Sequence, residues 1–369
     1  LQLSCHKTKS QPAVVKQYNW QEFVMGADLS YVNEIEDAGA VYKMDGKATD
    51  PFVIFKTIGT NTIRVRLWHN PVWKKVTSNG KMYSDLYDVE KTIRRAKEQG
   101  MAVSLDLHYS DTWADPGNQT TPAAWTGLSL AILKDSVYNY TLNVLNYLKS
   151  KNLVPEMIQV GNENNSGILW PAGQVLNNDY QNFADLLKSG IKAVRDFSTT
   201  STIKPQIILH VAQIQNAEYW MDQLVSKGVT DFDIMGLSHY YKWSTVNDMN
   251  EIGKKITLFK TKYQKKIMIV ETAFPWTSQN ADTYNNILYT ADPSIGIYPV
   301  SKEGQQQYLK ELTKQLFNNG GSGIIYWEPA WITSPMRDAW GTGSAWENAA
   351  YFDFTGNLLT AESFMKQTY

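Results

Sequence analysis

Two glutamates sit where apolar runs stop. Ile158 and Val160 lead into Gly161, Asn162 and Glu163, and Ile267, Ile269 and Val270 lead into Glu271. A carboxylate at the end of a buried run costs several kcal/mol unless partners neutralise it or chemistry needs it. Two such groups suit cleavage of a glycosidic bond. One stays protonated and donates to the leaving oxygen, while the other attacks the anomeric carbon; a separation of about 5–5.5 Å goes with retention and a wider gap with inversion. Burial and mutual repulsion push the two pKa values apart, so similar groups take different roles. The plain alternative is a pair of structural salt bridges to Arg64 or Arg66. Asn162 beside Glu163, and the matching position of Glu271, argue against it.

Positioning two acids requires strands whose ends meet. Eight short runs rich in Val, Ile and aromatic residues occur, at 23–30, 62–68, 102–109, 157–163, 206–212, 232–241, 266–273 and 323–330. Amphipathic stretches at 86–100, 179–197 and 303–321 lie between them, the first with Leu86, Val89, Ile93 and Ala96 on one face and Gly100 at its end. Strand and helix alternating eight times predicts an α/β fold, a (β/α)8 TIM barrel. An open doubly wound sheet would carry a glycine-rich loop after its first strand, and none occurs. One catalytic barrel is expected over 18–369, with residues 1–17 a flexible tail. Long segments at 69–84, 110–127 and 277–301 each follow a strand end, where loops of that length are functional.

In such a barrel every strand opens its C-terminal end onto one face. The run ends hold Asp28; Arg66, Trp68 and His69; Asp106, His108 and Tyr109; Asn162 and Glu163; His210; His239, Tyr240 and Tyr241; Glu271; and Trp327 and Glu328. Four of the five histidines fall in this set. The pattern predicts one polar pocket ringed by aromatics. Arg66 is the fixed cation expected to hold Glu271 ionised, and Tyr240 is expected to hydrogen-bond it. Asn162 would donate to a sugar hydroxyl. Asp106, His108, Trp113, His239 and Trp327 complete the expected substrate-binding set. Trp68, Trp113, Trp125, Trp243, Trp276, Trp327 and Trp331 are the candidates for stacking on sugar rings.

Composition narrows the partners. Among 369 residues, 35 basic and 36 acidic side chains nearly cancel, and no basic run suggests nucleic acid. Charged residues are only 19%, while aromatics reach 12% with 13 Trp and 21 Tyr, more than a core needs and suited to flat apolar ligand faces. No apolar run reaches the ~18 residues of a membrane span. The single cysteine, Cys5, excludes an internal disulfide. The segment "LQLSC" is faintly similar to the end of a lipoprotein signal, with Cys5 as the lipid anchor. A secreted or cell-surface monomer is expected.

Two metal readings follow from ligand types. His108, His210 and His239 with Asp106 offer zinc ligands, but no His-x-His pair follows the first strand and no lysine ends a middle strand. Asn280, Asp282, Tyr284 and Asn286 alternate in a way that suits a structural calcium ion. No cofactor is expected for the chemistry itself.

The segments "GADLSYVNEIEDAG", "NTIRVRLWHNP", "LDLHYSDTWADPGNQTTPAAW", "QVGNENNSGILWP", "HYYKW", "VETAFPW" and "YWEPAWI" together resemble the endo-β-1,4-galactanases of glycoside hydrolase family 53. The resemblance runs from about Phe23 to Phe354. It implies a (β/α)8 barrel, retention of configuration, Glu163 as acid/base and Glu271 as nucleophile. It also implies Asn162, Arg66, Tyr240 and Trp327 around the sugar at the cleavage point. The implied substrate is unbranched β-1,4-galactan of pectin. Bacterial members carry calcium on the loop after strand seven, with a ligand set richer in aspartate than this one. From the residues alone, mannan or β-glucan, or glycan binding without turnover, stay open on the same barrel.

Overall fold

The computed structural model describes residues 22–369. The tail, Cys5 and the expected boundary at residue 18 lie outside the described residues. Eight parallel strands close into a barrel: β1 (Val24–Asp28), β2 (Thr62–Leu67), β3 (Ala102–Leu107), β4 (Met157–Val160), β5 (Gln206–Ala212), β6 (Ile234–Ser238), β7 (Lys266–Glu271) and β8 (Gly323–Tyr326). Each pairs with its sequence neighbours, and β1 pairs with both β2 and β8 to complete the ring. Every barrel strand falls inside one of the eight apolar runs. The expected helices are present as well: Leu86–Glu98, Gln181–Ser198 and Lys302–Asn318 pack outside the barrel.

Strand pleating sorts the side chains. Outward-facing residues such as Ile63, Val65, Ile158, Val160, Ile207 and Leu209 join the helices in the main apolar core. Inward-facing Val24, Met157, Ile208, Ile234, Met268, Val270 and Ile325 form a separate plug that fills the lower barrel. Space there is tight: a Cβ on Gly26 would stand 2.6 Å from the Ile325 side chain. Above the plug the inward positions turn polar, and this is where the ends of all eight strands meet. Between β6 and β7 the register slips at Leu237/Ser238, so that Ser238 rather than His239 comes level with Glu271.

Candidate active site

The site begins at Gly161, directly after β4. Its φ is +85°, and a Cβ there would overlap the Asn164 side chain, so glycine alone allows this turn. Glu163 follows with φ 45°, a conformation that costs a non-glycine residue on the order of 1 kcal/mol. Its backbone is pinned by neighbours. Gln119 Nε2 donates to the carbonyls of Asn162 (2.8 Å) and Glu163 (3.3 Å), and the Glu163 N–H donates to His210 Nδ1 at 3.3 Å.

Glu163 and Glu271 face each other across the barrel mouth. Their nearest carboxylate oxygens and a ring nitrogen of His210 all lie within 4.8 Å of one another, which matches the short spacing of retention rather than the wide spacing of inversion. The two acids live in opposite environments. Glu271 Oε1 is 2.9 Å from Arg64 Nη1, and its Oε2 accepts from Tyr240 Oη at 2.9 Å. Glu163 Oε1 accepts from Ser238 Oγ at 2.5 Å, and no cation touches the side chain among the described residues. Burial, reinforced by the Glu271 charge, pushes Glu163 well above the usual carboxylate range. Burial also raises Glu271, to about 7, but Arg64 and Tyr240 oppose the rise. Glu163 is therefore the acid that stays protonated and Glu271 the one that ionises.

Arg64 organises the floor. Its guanidinium also pairs with Asp28 (2.9 Å) and Asp106 (2.8 Å) and donates to Asn162 Oδ1 at 2.9 Å. This corrects the expectation for Arg66. Residues 64 and 66 both point inward because the pleat repeats every two residues, but only Arg64 reaches β7. Arg66 pairs instead with Glu328 at 2.5 Å and lies over the rings of Tyr31, Trp113 and Trp68. Burial raises Glu328 to about 8 against the pull of Arg66.

A cleft of about 940 Å³ covers these groups. Of the expected set, Arg66, Asp106, His108, Trp113, Asn162, Glu163, Tyr240, Glu271 and Trp327 line it, as do Trp243 and Trp331. His239 does not. It is fully buried, neither ring nitrogen has a partner, and burial lowers its pKa to about 4. The reason is the pleat: Ser238 takes the inward position, so His239 points behind the sheet. Trp68 and Trp125 are buried wall residues, and Trp276 packs on Phe354. The zinc set does not converge either, since His108 is taken up by Asp106 Oδ2 (3.1 Å) and the Ala114 N–H (3.1 Å). Sequence reasoning missed Tyr31, Asp115, Gln213, Gln215, Asp338, Trp340 and Trp346, which also line the cleft. Asp338, Trp340 and Trp346 come from the irregular segment after β8, where no periodicity marks an inward face. Trp346 closes edge-on against Trp327, with centroids 4.7 Å apart.

The loop after β7 gathers several side-chain oxygens. Asn286 Oδ1 and Glu347 Oε2 are buried without a partner among the described residues, and burial, with the Asp282 charge nearby, pushes the Glu347 carboxyl up. Asp282 Oδ2 accepts from Thr333 and from the Ser344 N–H. Orphaned hard oxygens beside two carboxylates fit calcium. The oxygens gathered here differ from the expected alternation of Asn280, Asp282, Tyr284 and Asn286 in two respects. The Tyr284 hydroxyl turns away to Asp338 at 3.0 Å, so its side chain is not a ligand. Glu347, distant in sequence, would supply the second carboxylate.

Comparison with known proteins agrees with this geometry. The family described as Glycosyl hydrolase family 53 matches residues 24–365. An arabinogalactan endo-beta-1,4-galactanase of Cellvibrio japonicus is 44% identical, over 94% of this chain and 91% of the relative. An endo-beta-1,4-galactanase of Bacillus subtilis is 32% identical, over 92% of this chain and 84% of its own. The Ignisphaera aggregans GH53 catalytic domain superposes with a TM-score of 0.85 at 34% identity, covering 96% of this chain and 99% of that one. This chain belongs to glycosyl hydrolase family 53.

Proposed function

We propose that the protein cleaves internal β-1,4-galactosidic bonds of (arabino)galactan with retention of configuration. The carrying observation is the pair Glu163–Glu271, close together but held in opposite protonation states. In the first step Glu271 attacks the anomeric carbon while Glu163 gives its proton to the departing glycosidic oxygen. Glu163, now ionised, then takes a proton from water as that water displaces Glu271. Arg64 and Tyr240 keep the nucleophile charged, and Asn162 stands beside the reacting sugar. Trp113, Trp243, Trp327 and Trp340 offer apolar faces along the cleft for neighbouring sugars. The family relatives named for galactan favour that sugar over mannan or β-glucan. A binding protein without turnover needs no such acid pair.

The chemistry as written needs no cofactor, because side chains supply the proton, the nucleophile and the charge. A calcium ion held by Asp282, Asn286 and Glu347 would tie the loop after β7 to the segment after β8, a structural role. A plant polymer is met outside the cell, which favours a secreted or surface-anchored protein. The lipid anchor at Cys5 rests on the sequence alone. No described helix is long and apolar enough to cross a membrane. Incubation with β-1,4-galactan, mannan and β-glucan, followed by assay of new reducing ends, tests the reading. Release from galactan with the β-anomer formed first is the expected result. Release from mannan or β-glucan alone would overturn it.

A further inference from the structure

One hydrogen-bonded chain in the site has a direction. His210 Nδ1 faces two donors, the Glu163 N–H (3.3 Å) and Gln159 Nε2 (3.0 Å), while the acceptor beside it, Asn162 Oδ1 (3.0 Å), is already taken by Arg64 and Gln159, so we assign that nitrogen as the unprotonated one. His210 is fully buried beside Arg64, and both effects hold it neutral. Its proton therefore sits on Nε2, 2.8 Å from Ser238 Oγ. Ser238 accepts there, and its own hydroxyl is free to donate to Glu163 Oε1 at 2.5 Å. The loop closes on the residue where it began. Glu163 Oε2, by contrast, has no partner among the described residues and is not a buried orphan. It is the oxygen open to the cleft.

We infer that Ser238, oriented by His210, is a positioning residue for acid catalysis: by occupying Glu163 Oε1 as a donor it confines the catalytic proton to Oε2, the oxygen facing the glycosidic bond. A carboxylic acid has two oxygens and one proton. An oxygen already receiving a hydrogen bond is the poorer place for that proton, so the chain decides which oxygen donates. The step it serves breaks the bond between anomeric carbon and leaving oxygen. The Oε2 proton moves to that oxygen, its electron pair stays with Glu163, and Glu271 closes on the carbon. The register slip between β6 and β7 brings Ser238 level with Glu271, and its inward position at the end of β6 lets its hydroxyl reach Glu163. The inference rests on the hydrolase reading above but not on the sugar.

The test separates protonation from folding by changing the leaving group. Ser238→Ala is compared with the parent on β-1,4-galactan, whose leaving alcohol needs a proton, and on 2,4-dinitrophenyl β-galactobioside, whose leaving phenolate does not. Expected is a fall in kcat/KM of about 10- to 100-fold on galactan, the scale of misplaced general acid catalysis. On the dinitrophenyl substrate it should stay within about threefold, since that bond breaks without a general acid. Equal losses on both substrates, or no loss on galactan, overturn the inference. Should Ser238→Ala fail to fold, Ser238→Cys, with a weak donor of similar size, is read by the same split. A parent inactive on both substrates counts against the galactan reading instead. The split is then measured with the polymer and dinitrophenyl glycoside of whichever sugar the parent cleaves.

Discussion

Arg64 Nη1 stands 2.9 Å from Glu271 Oε1, and the same nitrogen stands 2.9 Å from Asp28 Oδ2. One guanidinium thus pairs with the nucleophile and, with Asp106 on its other nitrogen, with two further carboxylates buried in the barrel. Replacing Arg64 with Ala leaves Asp28, Asp106 and Glu271 without their cation. Removing one partner of a buried ion pair costs about 3–5 kcal/mol, so urea denaturation should show a loss of that size together with lost activity. Arg64→Lys should recover part of the stability but little activity, because a single ammonium cannot span three acceptors.

Glu271→Ala should abolish cleavage of β-1,4-galactan, with less than about a thousandth of the parental kcat/KM remaining, while galacto-oligosaccharide binding survives. Glu163→Ala should lose about 10²- to 10⁴-fold on galactan and keep most of its rate on substrates with activated leaving groups. An E271A protein retaining a tenth of parental activity would remove Glu271 from the chemistry.

The pH profile should follow the two acids in opposite senses. Glu271 works ionised, and its pKa is raised to about 7, so kcat/KM should fall as pH drops through that value. Glu163 works protonated and sits higher, so it sets the basic limb. Tyr240 donates to the charged form of Glu271 and lowers its pKa. In Tyr240→Phe that support is gone and the pKa rises. The acid limb should move upward by about one pH unit, with the basic limb moving less. An acid limb that stays in place would detach Tyr240 from the nucleophile.

A bound calcium ion stabilises the folded chain by about 2.7 kcal/mol at a hundredfold excess over its Kd. Chelation should therefore lower the Tm by a few degrees, and Glu347→Gln should blunt the effect. An unchanged Tm on chelation would leave Asp282, Asn286 and Glu347 as a hydrogen-bonded loop tie only.

Much of the site was legible in the chain order. Apolar runs of four to eight residues announce buried parallel strands because both faces must be covered. A polar residue ending such a run has one place to go, the open mouth. That reasoning located Glu163, Glu271, Asn162, Tyr240 and Trp327 together at the cleft. It erred where it treated strand-end residues alike. His239 and Tyr240 are adjacent, yet one lies behind the sheet and the other bonds the nucleophile.

The sequence by itself determined the strand count, the alternation with helices and the presence of two acids at strand ends, because these are matters of hydrophobic period and residue type. Only the tertiary structure decided that Arg64 rather than Arg66 serves Glu271, that Ser238 reaches Glu163, and that Glu347 joins Asp282. Each depends on barrel stagger, on which strand-end residue turns inward or on the path of an aperiodic loop, and those are set by contacts between segments far apart in the chain. No local pattern encodes a distance across the barrel.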